Sequence, residues 1–537
     1  MNMADKEMTV VGTSPLNKVL FWLGVVFLTL VIYDFDDLAF KGPYGMHQWR
    51  QCDAYSMTLN YAKEDRSLFQ PTMHFQHGTG GGNAAGEFPL TYYLNGKLWA
   101  HTGTLPWTLK WTHLGLLLMG CWCLFRLLTQ LISDKMAMAV TWFTMSSGLL
   151  AFYGPNYLVN PAGLGLVFAG WWWAYRWWCS GCTSRMALLQ MVAYLSLAVL
   201  FRPTMGLAWV PLGLAWFGAQ RPVPWIVAIG LPLVLGVAWV MWTKEYNRIH
   251  GSTYFLTDLR PIWDSASVSK VWGDFTSIVL PEWYRGFVLA CIAIWISVTL
   301  VQTQRPRTAL GRWLGWSAAG LAAGCTAYVL LWYNNLYVHD YYLIELQVLM
   351  PIGLAWSVHR WENRDKRTPP VWLALMALAF VVQLADASLR TRLKHRRVGG
   401  YLAKHMLSQE DKDRWAWHHW DQGRRFANAE LWEQTLRDLG IQRDELVMSF
   451  TDTSPNISLS LMDQKGFTNL YDSGVKGEDR IALYYGRGAR YLVCNNDQWH
   501  RAYRRSPWLT HELVQKDNFW VFDLSLSEAA ADFTKTP

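Results

Sequence analysis

Between residues 16 and 390 the sequence returns repeatedly to apolar runs long enough to cross a lipid bilayer, and that recurrence restricts the chain to a helical bundle in a membrane. A hydrocarbon core about 30 Å thick takes roughly 20 helical residues per crossing, and only segments that satisfy their own backbone hydrogen bonds persist there. Eleven runs qualify: 16–33, 106–130, 136–152, 162–178, 186–201, 204–218, 225–243, 285–301, 313–332, 343–358 and 371–388. The first is followed by YDFDD without a small-residue cleavage pattern, so it reads as a retained helix with a cytoplasmic N-terminus. This predicts a polytopic α-helical membrane domain over 1–389 and an extracytoplasmic domain over 390–537.

Charge supports that orientation. The expected cytoplasmic connections hold Lys135, Arg176, Arg185, Arg221, Arg305, Arg307, Arg312, Arg360, Arg364, Lys366 and Arg367, as positive-inside topology requires. The exterior then receives the 34–105 loop, 153–161, the 244–284 loop, 333–342 and everything from 390. One run opposes the rule: Arg390, Arg392, Lys394, Arg396 and Arg397 directly follow the last span. Long translocated domains obey it weakly, and contact with anionic lipid headgroups would account for the run. The net charge of +8 therefore reports topology and lipid contact, with no nucleic-acid partner, and the 34 Trp suit a chain that crosses the water–lipid boundary many times. Eight scattered Cys, including the CxxC of Cys179 and Cys182, fit structural roles.

Beyond 390 the composition becomes mixed in charge. A helix near 425–439 ending at Gly440 and strands at 445–450, 489–495 and 519–524 predict a small α/β domain, with Ser454-Pro455 as N-cap and first helical residue. Asn456-Ile457-Ser458 matches a glycosylation sequon by chance at that helix start.

The spans carry almost no Asp or Glu at their centres, whereas transporters place ionisable groups there. Arg126 and Lys110 lie near helix ends, where they can snorkel. Polar chemistry collects instead in the first exterior loop, in His47-Gln48-Trp49-Arg50-Gln51-Cys52-Asp53 and Gly86-Glu87-Phe88-Pro89. An early helix start would bring Arg50 to Asp53 at i,i+3 and keep that carboxylate ionised, as a general base requires. Glu87 is a second candidate carboxylate. The stretch GTGGGNAAG lacks the order of a nucleotide cradle, and His74 and His77 lack further metal ligands nearby.

Together HQWRQCDAYSMTLNYAKEDRSLFQP, GEFPLTYYLNGKLW, NYLVNPAGLGLVF, RPTMGLAWVP and YVHDYY resemble the GT-C membrane glycosyltransferases, in the branch with lipid A aminoarabinose transferase and the protein O-mannosyltransferases. The resemblance implies a GT-C-like bundle and an inverting transfer of sugar from a polyprenyl-phosphate donor to a hydroxyl of a glycolipid, polysaccharide or protein outside the cytoplasmic membrane. It implies Arg50, Gln51, Arg202, His339, Asp340 and Tyr341 as substrate-binding residues, and Asp53, His47 or Glu87 as the base. The lipid-linked sugar is donor and no cofactor is implied, with a divalent metal left open. Two departures stand out: Gln51 and Cys52 occupy the place of an acidic pair, and Asn160-Pro161 that of an Asp-Pro. A lipid or polysaccharide transporter and a non-catalytic scaffold are the competing readings.

Overall fold

The computed structural model describes residues 12–77, 81–217, 222–252, 255, 258–302, 308–363, 370–470 and 474–533. Arg221, Arg305, Arg307, Arg364, Lys366 and Arg367 of the expected cytoplasmic connections, and residues 78–80 of the Gly-rich stretch, lie outside them.

Each of the eleven apolar runs is predominantly helical over its described residues. Six helical segments are long and apolar enough to cross a membrane: Pro15–Ile32, Trp107–Leu128, Pro222–Ile249, Ala309–Leu331, Asp340–Glu362 and Val371–Leu393. A further pair, Val268–Trp283 and Gly286–Val301, is bent by 81° at its break. The protein is thus a multi-pass helical membrane protein. Several runs are interrupted in ways that periodicity does not show. The 136–152 run is two helices, Asp134–Met145 and Gly148–Tyr153, parted at Ser146 and Ser147. The 204–218 run opens with a 3-10 turn, Pro203–Ala208, before Trp209–Trp216, and the 343–358 run begins inside a 3-10 segment, Asp340–Val348, before the α-helix Leu349–Glu362. Asn160–Cys179 packs along Trp107–Leu128 so closely that a Cβ on Gly120 would fall 2.1 Å from the Gly165 carbonyl oxygen. Such backbone approach between membrane helices needs small residues at the crossing.

Four residues of the basic run after the last span pair with carboxylates inside the protein, which corrects the headgroup expectation. The helix Pro370–Leu393 continues past 388 and carries Arg390 to Glu282 (3.1 Å) and Asp386 (3.0 Å), and Lys394 just beyond it meets Glu282 (3.0 Å). Arg392 and Arg396 hold Asp34 at 3.0 and 2.9 Å. Lys110 does not snorkel either: it is buried, and its Nζ donates to the carbonyls of Leu38 and Lys41.

The C-terminal domain carries a five-stranded sheet in the order β2-β1-β3-β5-β4, from β1 (Val447–Ser449), β2 (Gly466–Thr468), β3 (Tyr491–Cys494), β4 (Glu512–Lys516) and β5 (Phe519–Asp523). β1 pairs in parallel with β2 and β3, and β5 runs antiparallel to β3 and β4. The α/β class agrees with the sequence reading, which missed β2, β4 and the helix Gln409–Arg425. The expected cap is also displaced. The helix is Ile457–Leu461 with Asn456 at its N-cap, and the Ser454 hydroxyl accepts from Ile457 N–H at 3.0 Å. Asn456 is fully buried, which removes the sequon from consideration.

Arg443 fastens this domain to the 34–105 loop. Its guanidinium donates to Glu64 (2.7 Å), Asp463 (2.9 Å) and Asn60, while Gln76 N–H and His74 C=O extend the sheet edge at Gly466.

Candidate active site

The helix Gln48–Lys63 sets the geometry of the site. His47 precedes it at φ +51°, a left-handed conformation that costs a non-glycine residue about 1–3 kcal/mol and that its surroundings must hold. Gln51 contributes to that hold. Its amide donates to the Tyr44 and Met46 carbonyls, both at 2.8 Å, and its oxygen accepts from Tyr44 N–H at 3.3 Å. Gln51, expected on the substrate, has its polar atoms engaged by this turn.

One helical turn on, Arg50 Nη1 donates to Asp53 Oδ2 at 3.0 Å, the i,i+3 pairing that an early helix start predicts. Nη2 donates to Glu87 Oε1, so a single guanidinium bridges both candidate carboxylates. Glu87 is presented by a held strand of backbone. The Ala85 backbone pairs both ways with the Asn247 side chain at 2.8 Å, Trp239 Nε1 donates to the Gly86 carbonyl at 3.0 Å, and Phe88 N–H to Leu200 O at 3.1 Å. Phe255 of the 244–284 loop lies 5.2 Å from the Arg50 guanidinium and covers it. That loop reaches the site through Phe255 and Glu282. Trp263 and Trp272 of the same loop are largely exposed.

Arg202 arrives from the end of Arg185–Phe201. Its Nη1 is 3.7 Å from the same Glu87 oxygen, its Nε donates to Glu345 at 3.1 Å, and its guanidinium lies 5.2 Å from the Tyr342 ring centre. Glu345 is fully buried and also accepts from Thr204 Oγ1 (3.0 Å) and Asn160 Nδ2 (3.1 Å). Asn160, standing where an acid is familiar, therefore serves to place the carboxylate that aims Arg202.

On the opposite wall His47 Nε2 is 3.1 Å from Asp340 Oδ1, which also accepts from Tyr153 OH at 2.5 Å, while Lys394 Nζ lies 3.6 Å from Oδ2. Tyr341 meets the His47 ring edge-on at 4.9 Å, and His339 sits 5.6 Å from His47 and 5.3 Å from Tyr342. These contacts form a chain from His47 through His339 and Tyr342 to Arg202, Glu87, Arg50 and Asp53.

Electrostatics distinguish the groups. Burial favours the neutral form of Glu87, but the Arg50 and Arg202 charges outweigh it and hold the carboxyl below its usual range. Burial first, then the neighbouring His47 and Arg50, push the His339 imidazole down to about 3, so it is neutral at physiological pH.

Of the expected residues, Asp53, His47, Glu87, Arg50, Arg202, His339, Asp340 and Tyr341 come together and Gln51 supports them from behind. Glu345, Glu282, Lys394 and Tyr153 join them without a sequence signal, because their partners are more than 50 residues away. Asp34, Asp37 and His395 could offer metal ligands, their atoms lying within 4.8 Å of one another, but Arg392 and Arg396 already neutralise Asp34 and His395 Nε2 is bonded to it at 2.8 Å. His74 is bonded to Asp463 (2.7 Å) and Ser56 (2.6 Å), a structural tie. An apolar cavity of about 60 Å³ among Trp171, Trp178, Leu212, Trp225 and Trp313 lies toward the other end of the bundle.

No family model matches the chain, and no curated protein matches it in sequence. Solved structures match its fold. ArnT from Cupriavidus metallidurans bound to undecaprenyl phosphate superposes with a TM-score of 0.57 at 13% identity, covering 96% of this chain and 99% of that one. The arabinofuranosyltransferase AftD from Mycobacteria gives 0.54 at 14%, covering 97% and 40%. The oligosaccharyltransferase AglB from Archaeoglobus fulgidus, in complex with an inhibitory peptide and a dolichol-phosphate, gives 0.52 at 11%, covering 89% and 70%. At such identities the likeness is one of fold, and the fold is that of the GT-C glycosyltransferases.

Proposed function

We propose that the protein transfers a sugar, with inversion, from a polyprenyl-phosphate donor to a hydroxyl of a cell-envelope glycolipid, polysaccharide or protein, on the exterior face of the cytoplasmic membrane. The observation that carries this reading is the convergence of Arg50 and Arg202 on one oxygen of Glu87. A carboxylate held by two guanidinium groups marks a place where an anion is stable, and a donor phosphate can exchange into it. Planar guanidinium forks suit phosphate oxygens, and their contribution grows as the glycosidic bond breaks and negative charge collects on the leaving phosphate. His339, Asp340 and Tyr341 form the wall that would face the sugar. The acceptor proton passes to Asp53, His47 or Glu87, the three groups the sequence nominated. The undecaprenyl phosphate on ArnT and the dolichol-phosphate with AglB support a polyprenyl donor for this fold.

The reading is tested with purified protein and undecaprenyl phosphate as probe. Hydrogen bonds to charged groups contribute about 1.5–3 kcal/mol each, so Arg50→Ala and Arg202→Ala should each weaken binding by about 10-fold or more. Undiminished binding in both variants would remove the proposed phosphate site. Mass analysis of surface glycolipids with and without the protein separates the alternatives. A transporter leaves its cargo chemically unchanged, and a scaffold is indifferent to loss of both arginines.

A further inference from the structure

We propose that His47, rather than Asp53 or Glu87, receives the proton of the acceptor hydroxyl, and that Asp340 positions it by fixing its tautomer. The proposal rests on the transferase reading above and names the base within it.

Both carboxylates are poorly placed to take a proton. Each is bonded to Arg50, and Glu87 faces Arg202 as well. Guanidinium pairing favours the ionised carboxylate and so lowers its appetite for a proton. His47 is held in the opposite way. Its Nε2 points at Asp340 Oδ1 at 3.1 Å, so with Asp340 ionised the proton resides on Nε2 and the lone pair on Nδ1 is left for the substrate. Asp340 cannot swing away, because Tyr153 OH donates to the same oxygen at 2.5 Å and Lys394 lies 3.6 Å from the other. Lys394 is itself fixed by Glu282 at 3.0 Å. The left-handed backbone at His47, held by Gln51, directs the ring to that partner at a cost in strain, and strained residues persist where a fold over-determines them.

The groups that face His47 come from two walls, Asp340, His339 and Tyr341 from the 333–348 segment and Tyr153 from Gly148–Tyr153, while Lys394 stands behind Asp340 and Tyr153 and His418 of the helix Gln409–Arg425 acts on His47 electrostatically. Only Asp340 among them offers negative charge to an imidazolium. In the step, the hydroxyl oxygen bonds to the anomeric carbon as that carbon's bond to the phosphate oxygen breaks. The bonding pair leaves with the phosphate toward Arg50 and Arg202. The hydroxyl proton moves to Nδ1, Asp340 stabilises the resulting imidazolium, and the proton is later released to water.

The experiment compares His47→Gln, Asp53→Asn and Asp340→Asn, each checked for a monodisperse folded peak. Binding of undecaprenyl phosphate is measured on purified protein, and product as the mass-shifted surface glycolipid made in cells. General-base catalysis contributes about 10²–10⁴-fold, so His47→Gln should keep probe binding within a few-fold while product formation falls by that factor. Asp53→Asn should fall far less. Asp340→Asn should slow transfer and move the acid limb of its pH profile downward, because the imidazolium loses its counter-charge; a merely structural change would leave the limb in place. Normal product from His47→Gln, loss of probe binding in it, or an Asp53→Asn defect exceeding the His47→Gln defect would each overturn the assignment. Those results would leave the transferase reading intact, which fails only if the arginine variants bind the probe normally.

Discussion

Lys394 shows at the scale of one residue how this site is held. Its ammonium is 1% exposed and separates two buried carboxylates, Glu282 at 3.0 Å and Asp340 at 3.6 Å, with the Phe152 ring 4.6 Å beneath it. Removing one member of a buried charge cluster leaves the others uncompensated, at about 3–5 kcal/mol. Lys394→Met should therefore lower the thermal midpoint in detergent by far more than Arg397→Met, an exposed residue four positions past the end of the same helix. Equal midpoints would show that Glu282 and Asp340 do not depend on the lysine. The residues nominated from sequence were legible because they sit in short polar motifs within apolar surroundings: His47, Arg50 and Asp53 lie within seven positions, and Glu87 stands in GEFP. Lys394 was not legible. Its charge sits in a run of five basic residues that read as a lipid-facing cluster, and the carboxylates that explain it are 54 and 112 positions away. Glu345 was hidden for the related reason that an acid at the edge of an apolar run gives no sign of the arginine it will meet.

The crossing of Trp107–Leu128 and Asn160–Cys179 poses the same question for whole elements. A Cβ at Gly165 would lie 2.3 Å from Leu116 O and 2.7 Å from Leu117 Cα, backbone atoms that cannot rotate aside. Gly165→Ala should cost about 1–3 kcal/mol through overpacking, and because Asn160 begins that helix it should also loosen the Glu345–Arg202 pairing and weaken undecaprenyl phosphate binding. Gly115, on the partner helix with open space around it, is the control. Gly115→Ala should be neutral or slightly stabilising, and equal effects at the two positions would mean the helices do not meet there. Hydropathy located these helices because the bilayer imposes their length. It did not locate the break at Ser146 and Ser147 or the 3-10 segment Asp340–Val348, because both satisfy backbone groups through tertiary partners: Gln383 donates to Ser146 O at 3.0 Å, and Tyr328 to Tyr342 O at 3.2 Å.

Across the whole molecule, the join between bundle and C-terminal domain depends on ionised carboxylates. Burial raises Glu64, but hydrogen bonds from Arg443 and Arg66 and the charge of Lys465 overcome it and bring the carboxyl down to about 2 from an ordinary 4.5. Asp463, tied to His74, Arg443 and Lys63, is likewise held low. Because the docked values lie below the ordinary ones, the contribution to docking is complete above about pH 4.5 and is lost as pH falls toward 2. Hydrogen exchange should therefore rise at Gln48–Lys63 and at Gly466–Thr468 within that window while the Trp107–Leu128 helix stays protected. Arg443→Ala should produce the same pattern at neutral pH, since one guanidinium serves Glu64, Asp463 and Asn60 together. The helix that becomes exposed is the one that carries Arg50 and Asp53, so undocking the domain should weaken undecaprenyl phosphate binding in step with the rise in exchange. Exchange that rises without any change in binding would show that the bundle alone organises the site.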